Sequence, residues 1–575
     1  MSQFEIIKNF NTIKKNLKKN FTDLKKIRIG IVGDSSTQFL NQSIRGYGFD
    51  EDYNFEIYEA DYDQLDGQLL DTSSGLYKFE PEFVIIFESS QKLSKRFYKS
   101  DKAKFSEMHI EKVNNYISNI SKHLNSKIIY FNFPEVNDSI FGNFSNKIEY
   151  SFIYQTRKIN YELMNICIQN KNLFILDYSI INAQYGKNFI IDSKIYYTND
   201  MTISLDALPL IAKNITDIIA ALTGKFKKCI ILDLDNTLWG GIIGDDGIEN
   251  IQIGDLGIGK VFTELQAWIK QLKERGIVLA VCSKNNEATA KDPFKNHPDM
   301  VIRLEDIAVF VANWNNKADN IRYIQSILNI GFDSMVFLDD NPAEREIVRK
   351  NLPQVLVPEL PDDPSLFLDY LQKLNLFETA SFSKEDLERT KLYQDEAGRF
   401  MVQKNFTNED EFLASLSMSS EVKEFNKFNI PRVAQLSQRS NQFNLRTVRY
   451  SEQDVEQISC SEKYATFSFS LKDKFGDIGI ICIIILEKRK DSLFIETWLM
   501  SCRVLKRGME NFTLNTIVNY AKEKGYNTII GEHILTSKNG MVVDHFKNLG
   551  FRSSGNKWEL KVNNYKEKKC HIKII

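Results

Sequence analysis

One apolar run that stops at a pair of acids constrains this chain more than any other feature. It reads Lys228-Cys-Ile-Ile-Leu-Asp-Leu-Asp-Asn-Thr-Leu-Trp239. A run of this length and composition predicts a buried strand, and α/β sheets gather their ligands at the carboxyl ends of such strands. Alternation along an extended chain puts Asp233 and Asp235 on the same side. One of the two carboxylates can attack an electrophile while the other moves a proton. Together they also offer oxygen ligands to a hard cation such as Mg²⁺. Two solvated acids at a strand end are the plain alternative.

Three later segments favour the chemical reading. Ile277-Val-Leu-Ala-Val-Cys-Ser283 is a second apolar run, ending in a hydroxyl. Asn313-Trp-Asn-Asn-Lys-Ala-Asp-Asn320 puts Lys317 at the start of a helical pattern. Met335-Val-Phe-Leu-Asp-Asp-Asn-Pro-Ala-Glu344 is a third apolar run, ending in Asp339 and Asp340. A phosphoryl group carries anionic oxygens that call for a hydroxyl donor, a fixed cation and a metal. The metal calls for further carboxylates.

In this order the four segments resemble the motifs of the haloacid dehalogenase (HAD) superfamily of phosphotransferases. The resemblance implies a HAD-like Rossmannoid core. It assigns Asp233 as the nucleophile that forms an aspartyl-phosphate and Asp235 as the general acid/base. It gives Ser283 and Lys317 the phosphoryl oxygens. It implies Mg²⁺ as cofactor, held by Asp233, the main-chain carbonyl of Asp235, Asp339 and Asp340. Thr237 and Asn285 fall beside these motifs as substrate-binding candidates.

The likeness narrows further. Trp239-Gly-Gly-Ile-Ile-Gly-Asp-Asp-Gly247, Val281-Cys-Ser-Lys-Asn-Asn-Glu287, Asn313-Trp-Asn-Asn-Lys317 and Asp339-Asp-Asn-Pro-Ala-Glu-Arg345 are similar to the FkbH family of HAD proteins. So are Gln435-Leu-Ser-Gln-Arg-Ser-Asn-Gln-Phe-Asn-Leu445 and Met500-Ser-Cys-Arg-Val-Leu505. That family dephosphorylates 1,3-bisphosphoglycerate and loads the glyceryl unit on the phosphopantetheine thiol of an acyl carrier protein for polyketide-type assembly. By this resemblance the partners are 1,3-bisphosphoglycerate, or a related phosphorylated small molecule, and a phosphopantetheinylated carrier.

At 575 residues the chain is too long for one domain. A hydrophobic content of 43% with 26% charged residues is ordinary for a soluble globular protein. A formal net charge of −2 argues against nonspecific nucleic-acid binding. The longest apolar run, Ile478 to Leu486, is too short for a membrane span and reads as a core strand. Glu5 and Lys8 interrupt the apolar residues of the N-terminus, so no secretory signal is expected. Seven scattered cysteines argue against a disulfide framework, and the cytoplasm is the expected compartment.

The expected organisation is α/β in three domains, with boundaries at 1–224, 225–377 and 378–575. The first opens with an amphipathic pattern at Phe4, Ile7, Phe10, Lys14, Leu17, Phe21 and Leu24, read as one packed helix or a docking helix for an acidic carrier. Strands at Ile27–Val32, Phe83–Phe87, Lys127–Tyr130 and Leu173–Asp177 alternate with helical stretches, which predicts a parallel, flavodoxin-like sheet. Gly33-Asp34-Ser35 looks like the nucleophile block of SGNH hydrolases. Asp200-Met-Thr-Ile203, however, carries Ile where that family has its histidine. The only imidazoles of the region, His109 and His123, lie in mid-region helical stretches. Ser35 therefore lacks a general base, and a non-catalytic role is expected.

In the second region, glycines between Gly240 and Gly259 resemble the short flap of the superfamily. The third region begins helical. Strands follow at Tyr464–Leu471, Ile478–Leu486 and Leu493–Trp498, then a helix over Phe512–Lys524, a strand over Thr528–Glu532 and a helix over Val543–Leu549. That order looks like the GNAT acyltransferase fold, an α+β domain. Its pyrophosphate loop corresponds to Arg503-Val-Leu-Lys-Arg-Gly508, with Lys506 in place of the first glycine. Arg503, Lys506 and Arg507 are the expected ligands of a carrier arm's phosphate. Cys502 is a candidate for an acyl-thioester or a core thiol, Cys282 for core packing. His533 and His545 are expected at the surface or at helix caps. Two other functions stay open: a phosphatase for another metabolite with flanking scaffold domains, and a non-catalytic carrier-docking factor.

Overall fold

The structure, a computed structural model, describes residues 8–575 except 383, 404, 441, 502, 503 and 537, and only the backbone of 384, 385 and 401. Two compact units divide the chain, Glu5–Ile219 and Ala220–Ile575.

The first unit holds a five-stranded parallel sheet: β1 (Lys25–Gly33), β2 (Tyr53–Glu59), β3 (Phe83–Phe87), β4 (Lys127–Phe131) and β5 (Leu173–Leu176), in the order β2-β1-β3-β4-β5. The order reverses at β1, as in flavodoxin-like doubly wound sheets. The inner strand Phe83-Val-Ile-Ile-Phe87 is buried at every position, as expected for a parallel sheet covered on both faces. Among the described residues the amphipathic N-terminal pattern gives a helix over Phe10–Asn16. Asn20 then accepts the N–H of Thr22 at 2.9 Å, a side-chain turn that competes with continued helix. Phe4 and Ile7 lie outside the described residues. The short helix packs closely on the helix Gln38–Asp50 because Gly46 has no Cβ, which would stand 2.4 Å from the carbonyl oxygen of Ile13.

The second unit contains two sheets. The smaller has β6 (Cys229–Leu232), β7 (Val278–Ser283), β8 (Ile307–Ala312) and β9 (Met335–Leu338), all parallel, in the order β8-β7-β6-β9. β6 is thus a central strand between β7 and β9, which lets three loops converge beyond its end.

The larger sheet is mixed. It comprises β10 (Met418–Ser420), β11 (Val422–Lys423), β12 (Tyr464–Asp473), β13 (Gly476–Lys488), β14 (Ser492–Met500), β15 (Thr528–Gly531), β16 (Arg552–Ser554), β17 (Lys557–Lys561) and β18 (Ile572–Ile574). Their order is β16-β17-β15-β14-β13-β12-β10-β18, with β11 also on β12. β12, β13 and β14 form an antiparallel meander, and β15 runs parallel to β14 after the helix Met509–Lys524. The stretch expected as one helix over Val543–Leu549 is a 3₁₀ turn at Gly540–Val542 followed by a helix at His545–Asn548.

The helix Arg389–Gln403 belongs to both sheets of this unit. On one side Tyr393 is buried in the core of the parallel sheet, and Gln394 Nε2 donates to the carbonyl of Ile307 at 2.9 Å. On the other, Arg399 donates twice to Asp473 at the end of β12, at 2.7 and 2.8 Å. No helix among the described residues is long and apolar enough to cross a membrane.

Candidate active site

β6 ends at Leu232, and the chain leaves the sheet at Asp233, whose N–H still pairs with the carbonyl of Leu338 on β9 at 2.9 Å. The turn beyond Asp235 passes through Asn236 at φ +54°, a conformation Asn tolerates better than most residues. After β8, three asparagines shape the approach to Lys317. The side chains of Asn313 and Asn320 bond each other, at 2.9 Å in the shorter contact, and Asn316 caps the helix Lys317–Leu328 through the N–H of Ala318 at 2.8 Å. These contacts fix Lys317 at the first turn of that helix.

Lys317 is buried, with Nζ 2.9 Å from Asp233 Oδ1 and 2.5 Å from Asp339 Oδ2. Carboxylate oxygens of Asp233, Asp339 and Asp340 lie within 4.8 Å of one another. Burial pushes the Asp233 carboxyl up to about 6, against the pull of Lys317. Burial also raises Asp339 and Asp340. Burial alone would lower the Lys317 ammonium, but the charges of Asp233 and Asp339 outweigh it and raise that group. Three acids therefore face one fixed cation. Asp233 Oδ1 is buried and has no aligned hydrogen bond. An all-oxygen donor set with an excess of two negative charges fits a hard divalent cation.

The other candidates divide. Ser283 ends β7 beside this cluster, and Asn285 Nδ2 joins it at 3.3 Å to the Asp235 carboxylate at 2.8 Å. The Asp235 carboxylate is not part of the three-acid group; it accepts from Trp239 Nε1 and Ile243 N, both at 3.0 Å. A contribution of Asp235 to a metal is thus left to its main-chain carbonyl. The Thr237 hydroxyl is engaged with Asp340, donating to Oδ1 at 3.3 Å and accepting the Asp340 N–H at 3.1 Å. It ties the loop after β6 to the loop after β9. Cys282 points the other way, into the core, where burial pushes its thiol up to about 12.

Sequence reasoning passed over Arg345. Its buried guanidinium donates to the carbonyls of Asp339 at 2.9 Å and Asp340 at 2.6 Å and pairs with Glu359. The arginine closes the run Asp339-Asp-Asn-Pro-Ala-Glu-Arg345, so the signal was present.

Around the larger sheet, the structure describes Val504 to Gly508 of the expected anion loop. Cys502 and Arg503 lie outside the described residues. Arg507 is buried, 6% exposed, and bonds Glu396 of the helix Arg389–Gln403 and Asp473. Its donors hold Arg507 to that helix and to the end of β12. Lys506 is exposed at φ +63° just before the helix Met509–Lys524. His545 is buried rather than at the surface. Its ring stands edge-on to Trp498 at 4.5 Å and Phe443 at 4.8 Å, and burial lowers it to about 3.

In the first unit, the Ser35 hydroxyl meets Thr202 Oγ1 at 3.2 Å and no imidazole. His109 is buried against Tyr130 and Glu88, and burial lowers it to about 4. Asp34 accepts the N–H of Ser89 at 3.0 Å and is pushed up to about 7 by burial and by Glu88.

The sequence profile of the FkbH N-terminal domain matches residues 28–220. No curated protein matches. Among solved structures, the N-terminal part of the protein BF1531 from Bacteroides fragilis, described as containing a phosphatase domain and complexed with Mg, is 51% identical. The match covers 65% of this chain and 100% of that one, with a TM-score of 0.64. The ribosomal-protein-S18-alanine N-acetyltransferase from Escherichia coli is 14% identical over 26% of this chain and 98% of its own, with a TM-score of 0.21. A spermidine N-acetyltransferase from Vibrio cholerae is 11% identical over 26% and 98%, also at 0.21. The match over the whole of that N-terminal part, with the profile match over 28–220 and the HAD motifs of β6 to β9 in place, settles the family: this chain belongs to the FkbH-like proteins of the HAD superfamily and carries a HAD-type phosphatase domain.

Proposed function

We propose that this chain is a Mg²⁺-dependent enzyme that removes phosphate from 1,3-bisphosphoglycerate and loads the glyceryl unit on the thiol of an acyl carrier protein. The observation that carries the phosphatase half is the buried set of Asp233, Lys317, Asp339 and Asp340. Asp233, Asp339 and Asp340 would hold the Mg²⁺, which supplies positive charge against the phosphoryl oxygens.

Asp233 attacks phosphorus, and the bond from phosphorus to the C3 oxygen breaks. Asp235 gives its proton to that departing oxygen. Water then attacks the aspartyl-phosphate, Asp235 takes the water's proton, and inorganic phosphate leaves with Asp233 restored. Lys317 neutralises the oxygens of the group in transfer, and Ser283 donates to them. At the other end of the substrate, the carrier thiol displaces the C1 phosphate to form the thioester. We assign that step to the region of the larger sheet, with Lys506 and Arg503 as candidate ligands of the arm's phosphate and Cys502 as a candidate thiol. In this reading the chain divides functionally at 224 and 377, and the first unit does no catalysis.

The burial of Arg507 favours a second reading, in which the larger sheet is scaffold and the phosphatase serves another phosphorylated metabolite. One experiment separates them. The protein is incubated with Mg²⁺, 1,3-bisphosphoglycerate and a panel of phosphopantetheinylated carriers, with phosphate release and carrier mass followed together. Phosphate release with a glyceryl mass shift on a carrier supports the proposal. Phosphate release with no shift on any carrier leaves the second reading.

A further inference from the structure

The residues that fix the general acid/base are themselves part of the flap. Between Asp235 and Gln252 the chain makes a loop closed by an antiparallel bridge of Gly240 with Gln252, and the short helix Ile243–Asp246 lies within it. Two of the three donors to the Asp235 carboxylate come from this loop, the Trp239 indole N–H and the Ile243 main-chain N–H, both at 3.0 Å and both on Oδ1. The third, Asn285, reaches Oδ2 from the loop after β7. Trp239 is fully buried and packs edge-on against Phe294 at 5.8 Å. The loop is pinned on its own residues. Asp246 Oδ2 accepts the N–H of Ile242 at 2.7 Å, and Asn236 Oδ1 accepts the N–H of Gly241 at 2.9 Å. Gly241 turns the chain at φ +93°, where an added Cβ would also stand 2.6 Å from Asp246 Oδ2.

We infer that the flap sets the aim of Asp235, with Trp239 and Ile243 as positioning residues. The carboxylate reaches its place only when the flap is folded as it is here, because two of its three hydrogen bonds exist only in that conformation. Flap conformation and proton transfer are then one event. This rests on the reading of Asp235 as general acid/base.

The test compares two substrates. An alkyl phosphate such as 3-phosphoglycerate expels an alkoxide that needs a proton, whereas p-nitrophenyl phosphate expels a stable phenolate that does not. Trp239→Phe keeps an aromatic ring against Phe294 and removes the donor. It is expected to slow the pre-steady-state release of glycerate from the alkyl phosphate about tenfold to a hundredfold, the scale of a lost bond to a charged group, and to affect the burst of p-nitrophenolate far less, the later hydrolysis of the aspartyl-phosphate being common to both substrates. Gly241→Ala, which touches neither Asp235 nor the metal-binding acids, is expected to give the same selective loss. On an Asp235→Asn background Trp239→Phe is expected to add almost nothing.

Equal losses in leaving-group release from both substrates, or full additivity with Asp235→Asn in that step, would overturn the inference, as would a normal rate of glycerate release by Gly241→Ala. The underlying reading fails separately: Asp235→Asn would then itself show no preference between the two substrates in leaving-group release. Circular dichroism and Mg²⁺ titration of each variant identify a loss of fold or of the metal.

Discussion

Replacing Lys317 by Met removes the ammonium paired with two of the three clustered acids and keeps most of the side-chain volume. In the protein without metal, Asp233 and Asp339 lose an ammonium at 2.9 and 2.5 Å and remain buried. Breaking a buried pair from one side costs about 3–5 kcal/mol, because the remaining charge has no compensation. At roughly 2–4 °C per kcal/mol for a domain of this class, the melting temperature of the second unit should fall by roughly 6–20 °C. The loss should grow with pH. Without the lysine the two carboxyls rise further above their unfolded values, so more of the folded protein's stability is lost as pH climbs through them. Mg²⁺ can take over the missing charge. At a hundred times its Kd a ligand adds about 2.7 kcal/mol, and the variant should bind Mg²⁺ more tightly than the parent, having lost the competing ammonium. Phosphate release should still fall at least about a hundredfold, since the transferred group loses its fixed cation. Differential scanning calorimetry at pH 5.5 and pH 8, with and without Mg²⁺, reads all of these but the last. A variant that melts at the parent's temperature without metal, or that shows no added response to Mg²⁺, would refute the electrostatic reasoning.

Asp339→Asn should raise the Mg²⁺ concentration needed for half-maximal phosphate release, because one charged oxygen leaves the three-acid group; an unchanged titration would remove Asp339 from the ligand set. Ser35→Ala should leave phosphate release and carrier loading near those of the parent, since that hydroxyl meets Thr202 and no base; a large loss with fold retained would reveal a second active site. Asp34→Asn should stabilise the first unit at pH 8 and matter little near pH 4. The Asp34 carboxyl is raised to about 7 from an ordinary value of 3.8, so its contribution is fully present below that ordinary value and is lost as pH rises through about 7. At about 1.4 kcal/mol per pH unit the upper limit is about 4 kcal/mol, and thermal melts across that range check it.

The parts of this molecule that were legible in its sequence are those where function and local pattern coincide. Strands β6, β7 and β9 are unbroken apolar runs that end at chemically distinctive residues, so both the strands and the site could be read together. β8, Ile307-Ala-Val-Phe-Val-Ala312, carries the same apolar signal but ends in no reactive group, and the reading passed over it. β10, β11, β16 and β18 are two or three residues long, too short for any alternation to register. The burial of Arg507 had no local signal at all. Its partners are 111 and 34 positions away, and its charge beside a glycine looked like an anion site until tertiary contact supplied the acids. Trp239 is the opposite case. It stands four positions after Asp235, close enough that a side-chain hydrogen bond could have been proposed from spacing alone. His545 misled because nothing next to it in the sequence marks its neighbours; its ring is buried edge-on to Trp498 and Phe443, and its Nε2 finds no hydrogen-bond partner among the described residues.

In the proposed mechanism Asp233 takes the phosphoryl group. The direct measurement is to trap it: Asp235→Asn protein is mixed with Mg²⁺ and ³²P-labelled substrate, quenched in acid, and the labelled peptide mapped by mass spectrometry. The account predicts a phosphorylated carboxyl at Asp233, absent when Asp233 is also changed to Asn and released by hydroxylamine. Turnover by the parent with no label at Asp233, or label that survives Asp233→Asn, would contradict it.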